Sequence, residues 1–148
     1  MKFNMRKAEE SDLEAILAIY SQPAIDNGVS LNLAEAREIY KIIQTYPHYH
    51  IFMAEVENKI VGTIAVLIMH NIGHLGKKSA IFESIAVLPE WQGRGIGRKM
   101  LKSAAAFCEE MDCYKITLSA NIKREKAHQF YKCLGFIQHG ISFKYQKR

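Results

Sequence analysis

The residues whose types and spacing suggest chemistry are Gln92, Gly93, Arg94, Gly95, Ile96 and Gly97, a glycine-rich turn just ahead of an apolar-patterned stretch. Such a turn at a helix start leaves backbone donors free and lets an anion approach the main chain closely. Arg94, Arg98 and Lys99 add positive charge there. The spacing is GxGxG rather than the dinucleotide GxGxxG, and no lysine-hydroxyl pair ends it as in a P-loop. Anion binding is the leading reading, with a purely structural turn beside it. His48, His50, His70, His74, His128 and His139 form no HExxH pair and no triad spacing. Cys108, Cys113 and Cys133 are odd in number and form no CxxC, so neither a metal site nor a disulfide framework is expected, and a reducing, cytoplasmic compartment fits best.

The elements that must position this turn follow from periodicity. Lys2 to Lys7 reads as a strand, and Ser11 or Asp12 is placed to cap a helix carrying Leu13, Ile16, Leu17 and Tyr20. An ordered loop through Ile25, Asp26 and Asn27 leads to a second helix over Leu33 to Gln44. HIFMAEV and KIVGTIAVLIMH form a hairpin around Glu57 and Asn58, the second run apolar on both faces as a central strand requires. A fourth strand, SAIFESIAVL, ends at Pro89. The helix after the glycines places Ile96, Met100, Ala104, Phe107 and Met111 on one stripe. A fifth strand alternates Tyr114, Ile116 and Leu118, a short helix carries Ala127, Phe130, Tyr131 and Leu134, and the tail FIQHGISFKYQ is strand-like. The expected order is β-α-α-β-β-β-α-β-α-β.

At 148 residues, with 49% hydrophobic and 24% charged residues, the chain is expected to form a single domain over residues 1–148 with a core of its own. No apolar run approaches the roughly 18 residues of a spanning helix, so no membrane partner is expected. The net charge of +5 favours anionic ligands without choosing among them. Because the basic residues are scattered and no paired aromatic RNA platform is readable, nucleic-acid binding is discounted.

The segment SIAVLPEWQGRGIGRKML resembles the coenzyme-A-binding motif of the GNAT superfamily of acyl-CoA N-acyltransferases, with Gln92, Gly95 and Gly97 in its defining places. NIKREKAHQFYKCLGF resembles the second signature, a helix ending in FY-x-x-x-GF. The two matches come in the family's order, and the expected strand order resembles the family's across nearly the whole chain. The resemblance implies an α/β fold (α+β in some schemes): a twisted, mixed and largely antiparallel sheet of six or seven strands, flanked by about four helices and splayed between strands four and five.

It also implies a chemistry. Acetyl-CoA would serve as cosubstrate, with no metal, and a primary amine of a small molecule would attack the thioester directly. The loop Gln92, Gly93, Arg94, Gly95, Ile96, Gly97 and Arg98 would hold the pyrophosphate. The fourth strand, Ser84 to Leu88, would pair with pantetheine through Ile85, Ala86 and above all Val87, and it is expected to bulge. Asn121, Arg124 and Lys126 are the further cofactor candidates. Glu83 is the candidate base or acceptor anchor, against a solvated or salt-bridged carboxylate. Tyr131, with the phenol's ordinary pKa near 10, is the candidate proton donor to the leaving thiolate. His128 is expected at the surface or in packing, Cys133 in packing, and Trp91 beneath the loop. Ile25, Asp26, Phe82 and Glu83 are the acceptor-site candidates, with Tyr46, Tyr49 and Phe52 as further wall residues. Amino-sugar or peptide acetylation and a weakly catalytic CoA-binding regulatory module are the alternatives. The resemblance accommodates a homodimer, though the sequence displays no clear interface.

Overall fold

The computed structural model describes residues 1–147. The chain divides into two compact units, Met1–Thr117 and Leu118–Arg148.

The first unit is built on a sheet of order β1-β2-β3-β4-β5, with β1 Phe3–Lys7, β2 Tyr49–Val56, β3 Lys59–Met69, β4 Lys78–Val87 and β5 Cys113–Leu118. The first three pairings are antiparallel. Glu57 and Asn58 turn β2 into β3 with φ of 49° and 66°, the left-handed pair that matches strand twist in a tight hairpin. β3 is buried through Val61–Val66, which suits a strand with neighbours on both edges and helices on both faces.

Register sorts the two faces. Ile51 and Met53 of β2 face α1 (Leu13–Tyr20), whose Leu13, Ile16 and Ile19 close a core cluster with Met53 and Ala86. Phe52, one residue out of phase, meets Phe107 of α3 (Ile96–Glu110) with ring centroids 5.1 Å apart. Of the expected α3 stripe, Ile96, Met100 and Ala104 are buried, while Phe107 and Met111 are half-buried. Each large apolar side chain removed from water in this way contributes roughly 1.5–3 kcal/mol. α2 (Leu33–Ile43) starts at Asn32, whose side chain accepts the Glu35 amide at 2.9 Å in a reciprocal capping box.

Asp12 precedes α1 as expected, but its carboxylate does not cap that helix. It accepts both terminal nitrogens of Arg6, at 2.7 and 2.9 Å, and the Glu9 amide at 2.7 Å. Glu55 takes Arg6 Nε at 2.7 Å. This fork-to-carboxylate pairing holds Asp12 below the ordinary carboxylate range.

The second unit contains α4 (Glu125–Cys133). No strand forms after it among the described residues, so the sheet has five strands rather than six or seven. Ile137, Ile141, Phe143 and Tyr145 keep the alternation of a strand, yet each is at least 78% exposed. Alternation makes a strand only where one face finds something to bury against.

Candidate active site

A short turn, Pro89–Trp91, joins β4 to the glycine-rich loop. Gly93 and Gly95 have φ of 74° and 78°, a region that side chains disfavour. Open space surrounds both positions, so the requirement for glycine is conformational rather than steric. Gly95 caps α3 and supplies no side-chain acceptor. The first intrahelical bond there runs from the Lys99 amide to the Gly95 carbonyl at 3.2 Å, which leaves the amides of Ile96, Gly97 and Arg98 without an acceptor inside the helix. These donors and the helix dipole suit a phosphate. Arg94 lies 4.9 Å over the Trp91 ring, so this pair packs along the loop as a cation on an aromatic face. Arg98 is exposed. Lys99 reaches away to the Phe3 ring at 5.7 Å.

The loop is tied back to β4. The Leu88 amide donates to Val61 at 2.8 Å, which turns Leu88 toward β3 and, by alternation, Val87 toward the opposite edge. The Val87 carbonyl there accepts Gln92 Nε2 at 2.9 Å and Gln22 Nε2 at 3.1 Å. Gln22, just past α1, also donates to the Ile19 carbonyl at 2.8 Å. No motif in the sequence marked Gln22; its role comes from where α1 ends.

β4 bulges as the resemblance implied. Thr63 pairs with Ala86 and Ala65 with Glu83, so Ser84 and Ile85 together oppose one residue of β3. Ser84 has φ of 52°, and its carbonyl accepts the Tyr20 hydroxyl at 3.2 Å. Burial raises the Tyr20 phenol above its usual pKa, and the bond to Ser84 opposes this in part. Glu83, the residue before the bulge, is exposed on the face that α1 covers.

Phe82 does not join Glu83. It is 2% exposed and pairs with Val66, in the same row as His50, whose ring lies 5.3 Å from Phe107 on the α3 side. Neighbouring strand residues face opposite ways, so Phe82 and likewise Phe52 belong to the α3 core and not to an acceptor wall. Ile25 packs against the α1 core cluster. Asp26 is exposed in a tight turn with φ of 44°.

In the second unit, Asn121 Oδ1 accepts the Lys123 amide at 2.9 Å, and its carbonyl receives His128 Nε2 at 2.8 Å and the Arg124 amide at 2.9 Å. Asn121 therefore organises the turn into α4. Arg124 and Lys126 are exposed. Tyr131 is half-buried between Phe130 and Phe136, with ring centroids at 5.4 and 6.0 Å. Burial raises its phenol, a shift that Arg124 partly offsets. Cys133, the last residue of α4, is exposed rather than packed.

Comparison with known proteins places these features in one family. The family model described as "Acetyltransferase (GNAT) family" matches residues 13–136. A glucosamine 6-phosphate N-acetyltransferase of Trypanosoma brucei brucei is 26% identical over 139 residues, covering 91% of this chain and 89% of the relative. An aminoalkylphosphonate N-acetyltransferase of Salmonella typhimurium is 26% identical over 147 residues, covering 94% and 88%. A solved chain from Agrobacterium tumefaciens str. C58, assigned as an acetyltransferase, superposes with a TM-score of 0.89 at 27% identity over 97% of this chain and 99% of its own. With an uncapped glycine loop after a bulged fourth strand, and a family match running from α1 to the residues just past α4, the chain belongs to the GNAT acetyltransferase family.

Proposed function

We propose that the protein transfers the acetyl group of acetyl-CoA directly to a primary amine of a small molecule, with both substrates bound together. The observation that carries this reading is the bulge at Ser84, which lies between Glu83 and the Val87 edge that faces away from β3, on the strand leading into the anion-binding loop.

The donors fit the cosubstrate. Ile96, Gly97 and Arg98 offer unpaired amides to a pyrophosphate, and Gln92, Gly93, Arg94 and Gly95 shape the approach. Ile85, Ala86 and Val87 offer a strand whose Val87 groups face away from β3, where a pantetheine arm can add as an extra strand. The side-chain amides of Gln92 and Gln22 keep the Val87 carbonyl and steady the strand, while the arm takes the outward-facing Val87 amide.

Glu83 accepts the proton that the acceptor ammonium must lose, directly or through a water, and this exposes the nitrogen lone pair. The nitrogen–acyl bond forms as the carbon–sulfur bond breaks. Tyr131 then donates its phenolic proton to the departing thiolate, a role suited to a phenol that burial keeps protonated at neutral pH. The balance is one proton to Glu83 and one from Tyr131, and water restores both. Asn121, Arg124 and Lys126 complete the proposed coenzyme contacts. In the described residues no helix is long and apolar enough to cross a membrane, and a cytoplasmic, small-molecule enzyme, alone or as a homodimer, is the setting this reading assumes.

An amino-sugar phosphate acceptor is the second reading, favoured by the glucosamine 6-phosphate acetyltransferase among the relatives. The test is thiol release from acetyl-CoA across polyamines, amino acids, amino sugars, aminoglycosides and peptides. Amine-dependent release supports acetyl transfer, and the amine that gives the highest kcat/KM identifies the acceptor class.

A further inference from the structure

The face of the sheet that carries Glu83 also carries aromatic side chains that the transfer step does not need. Tyr49 pairs with Leu67, and Ala65 pairs with both Ile51 and Glu83. Alternate residues share a face, so Tyr49, Leu67, Ala65 and Glu83 project together. Tyr46, in the connection from α2 to β2, stacks on Tyr49 with centroids 5.6 Å apart and planes 11° from parallel. Tyr46 remains 50% exposed, so the stack is reached from solvent. Tyr20 enters from α1, its hydroxyl held by the Ser84 carbonyl beside Glu83.

The electrostatics of this surface are one-sided. After burial, the Glu83 charge is the next influence that raises the Tyr49 phenol, and Tyr49 contributes in turn to the rise at Tyr20. Among the described residues, the charged or phenolic groups that act on these two phenols are Glu83, Tyr46 and Tyr49, none of them a cation. Arg6, which the register places on this same face opposite Met53, is taken up by Asp12 and Glu55. A phosphorylated acceptor brings a dianion that is best held by arginine or lysine donors or by free backbone amides, and the side chains gathered around Glu83 supply neither. A carboxylate beside stacked phenol rings instead suits a cation attached to a flat, apolar body: the carboxylate draws the ammonium and the rings cover the body.

Resting on the acetyltransferase reading above, we infer that the acceptor is a primary amine carried by a short alkyl arm on a flat apolar ring, with its ammonium at Glu83 and its ring against Tyr46 and Tyr49. The stacked pair thereby sets specificity, while Glu83 acts at the reacting nitrogen.

The test compares 2-phenylethylamine with glucosamine 6-phosphate as acceptors for the full chain, by thiol release at saturating acetyl-CoA. The inference predicts kcat/KM at least about tenfold higher for 2-phenylethylamine, the scale of one aromatic contact of about 1.4 kcal/mol. Tyr46→Ala then raises KM for 2-phenylethylamine roughly tenfold without altering acetyl-CoA binding by calorimetry, and Tyr46→Phe restores it. A preference for glucosamine 6-phosphate, release with other amines but not 2-phenylethylamine, or an unchanged KM in Tyr46→Ala overturns the inference and leaves acetyl transfer standing. Absence of release with every amine class, from folded protein, overturns the acetyltransferase reading and this inference with it.

Discussion

Gln92 donates its side-chain amide to the carbonyl of Val87, five residues earlier, at 2.9 Å, and so ties the anion-binding loop to the strand proposed to hold the pantetheine arm. The same carbonyl takes Gln22 from the end of α1. Loop, strand and helix therefore meet at one acceptor atom.

Gln92→Ala removes the tether from the loop side. A hydrogen bond of this kind contributes about 0.5–1.5 kcal/mol, so acetyl-CoA affinity should fall roughly two- to tenfold with little change in thermal stability. Calorimetric titration with acetyl-CoA checks this. An unaltered Kd would mean that the loop holds its shape without the tether.

Glu83→Gln should lower kcat/KM for the acceptor roughly 10²-fold at neutral pH, the usual scale for a general base. The deficit should shrink as pH rises, because more of the amine is then already neutral. A loss of equal size at every pH would point to a distorted cleft instead.

Tyr131→Phe should lower kcat about 10²-fold while leaving acetyl-CoA binding intact. Burial raises the Tyr131 phenol, so the wild-type kcat profile should lack an ionisation of this group below pH ~10. A neutral-pH ionisation abolished by Tyr131→Phe would contradict the donor role.

Asp12 and Glu55 govern acid stability. Hydrogen bonds from Arg6 lower both carboxyls below their ordinary values. Lowered folded-state values mean that the stabilisation is present above the unfolded carboxylate range, near pH 4, and is lost as pH falls through the folded values. Asp12→Ala should cost about 2–3 kcal/mol at pH 7 and flatten this acid limb, measured by urea unfolding at several pH values.

Gly62→Ala tests the packing beneath the bulged strand. A Cβ at Gly62 would lie 2.9 Å from the Ala86 carbonyl oxygen and 2.9 Å from Met100 Sδ. Met100 can shift, but the β4 backbone cannot do so cheaply, so a loss of about 1–3 kcal/mol is expected by chemical denaturation.

The parts that a local pattern specifies were legible in the sequence. The α3 stripe and the glycines at its start follow from a 3.6-residue period and a strand end. The hairpin at Glu57 and Asn58 likewise follows from two apolar runs around polar turn residues. What depends on register was not legible. Phe82 and Glu83 are adjacent in the chain but face opposite sides, and only the pairing with Val66 and Ala65 decides which side meets α1. Gln22 carries no local signal because its partner, the Val87 carbonyl, is backbone 65 residues away. The tail from Ile137 to Tyr145 has the period of a strand without the burial that would make it one.

The most direct measurement of the central claim is thiol release from acetyl-CoA by the folded protein, with and without a primary amine, joined to mass spectrometry of the amine. Acetyl transfer predicts release that requires the amine, yields its N-acetyl product in equal amount, and falls roughly 10²-fold in Glu83→Gln. Acetyl-CoA binding with no amine-dependent release across the panel, or release without an N-acetylated product, would contradict it.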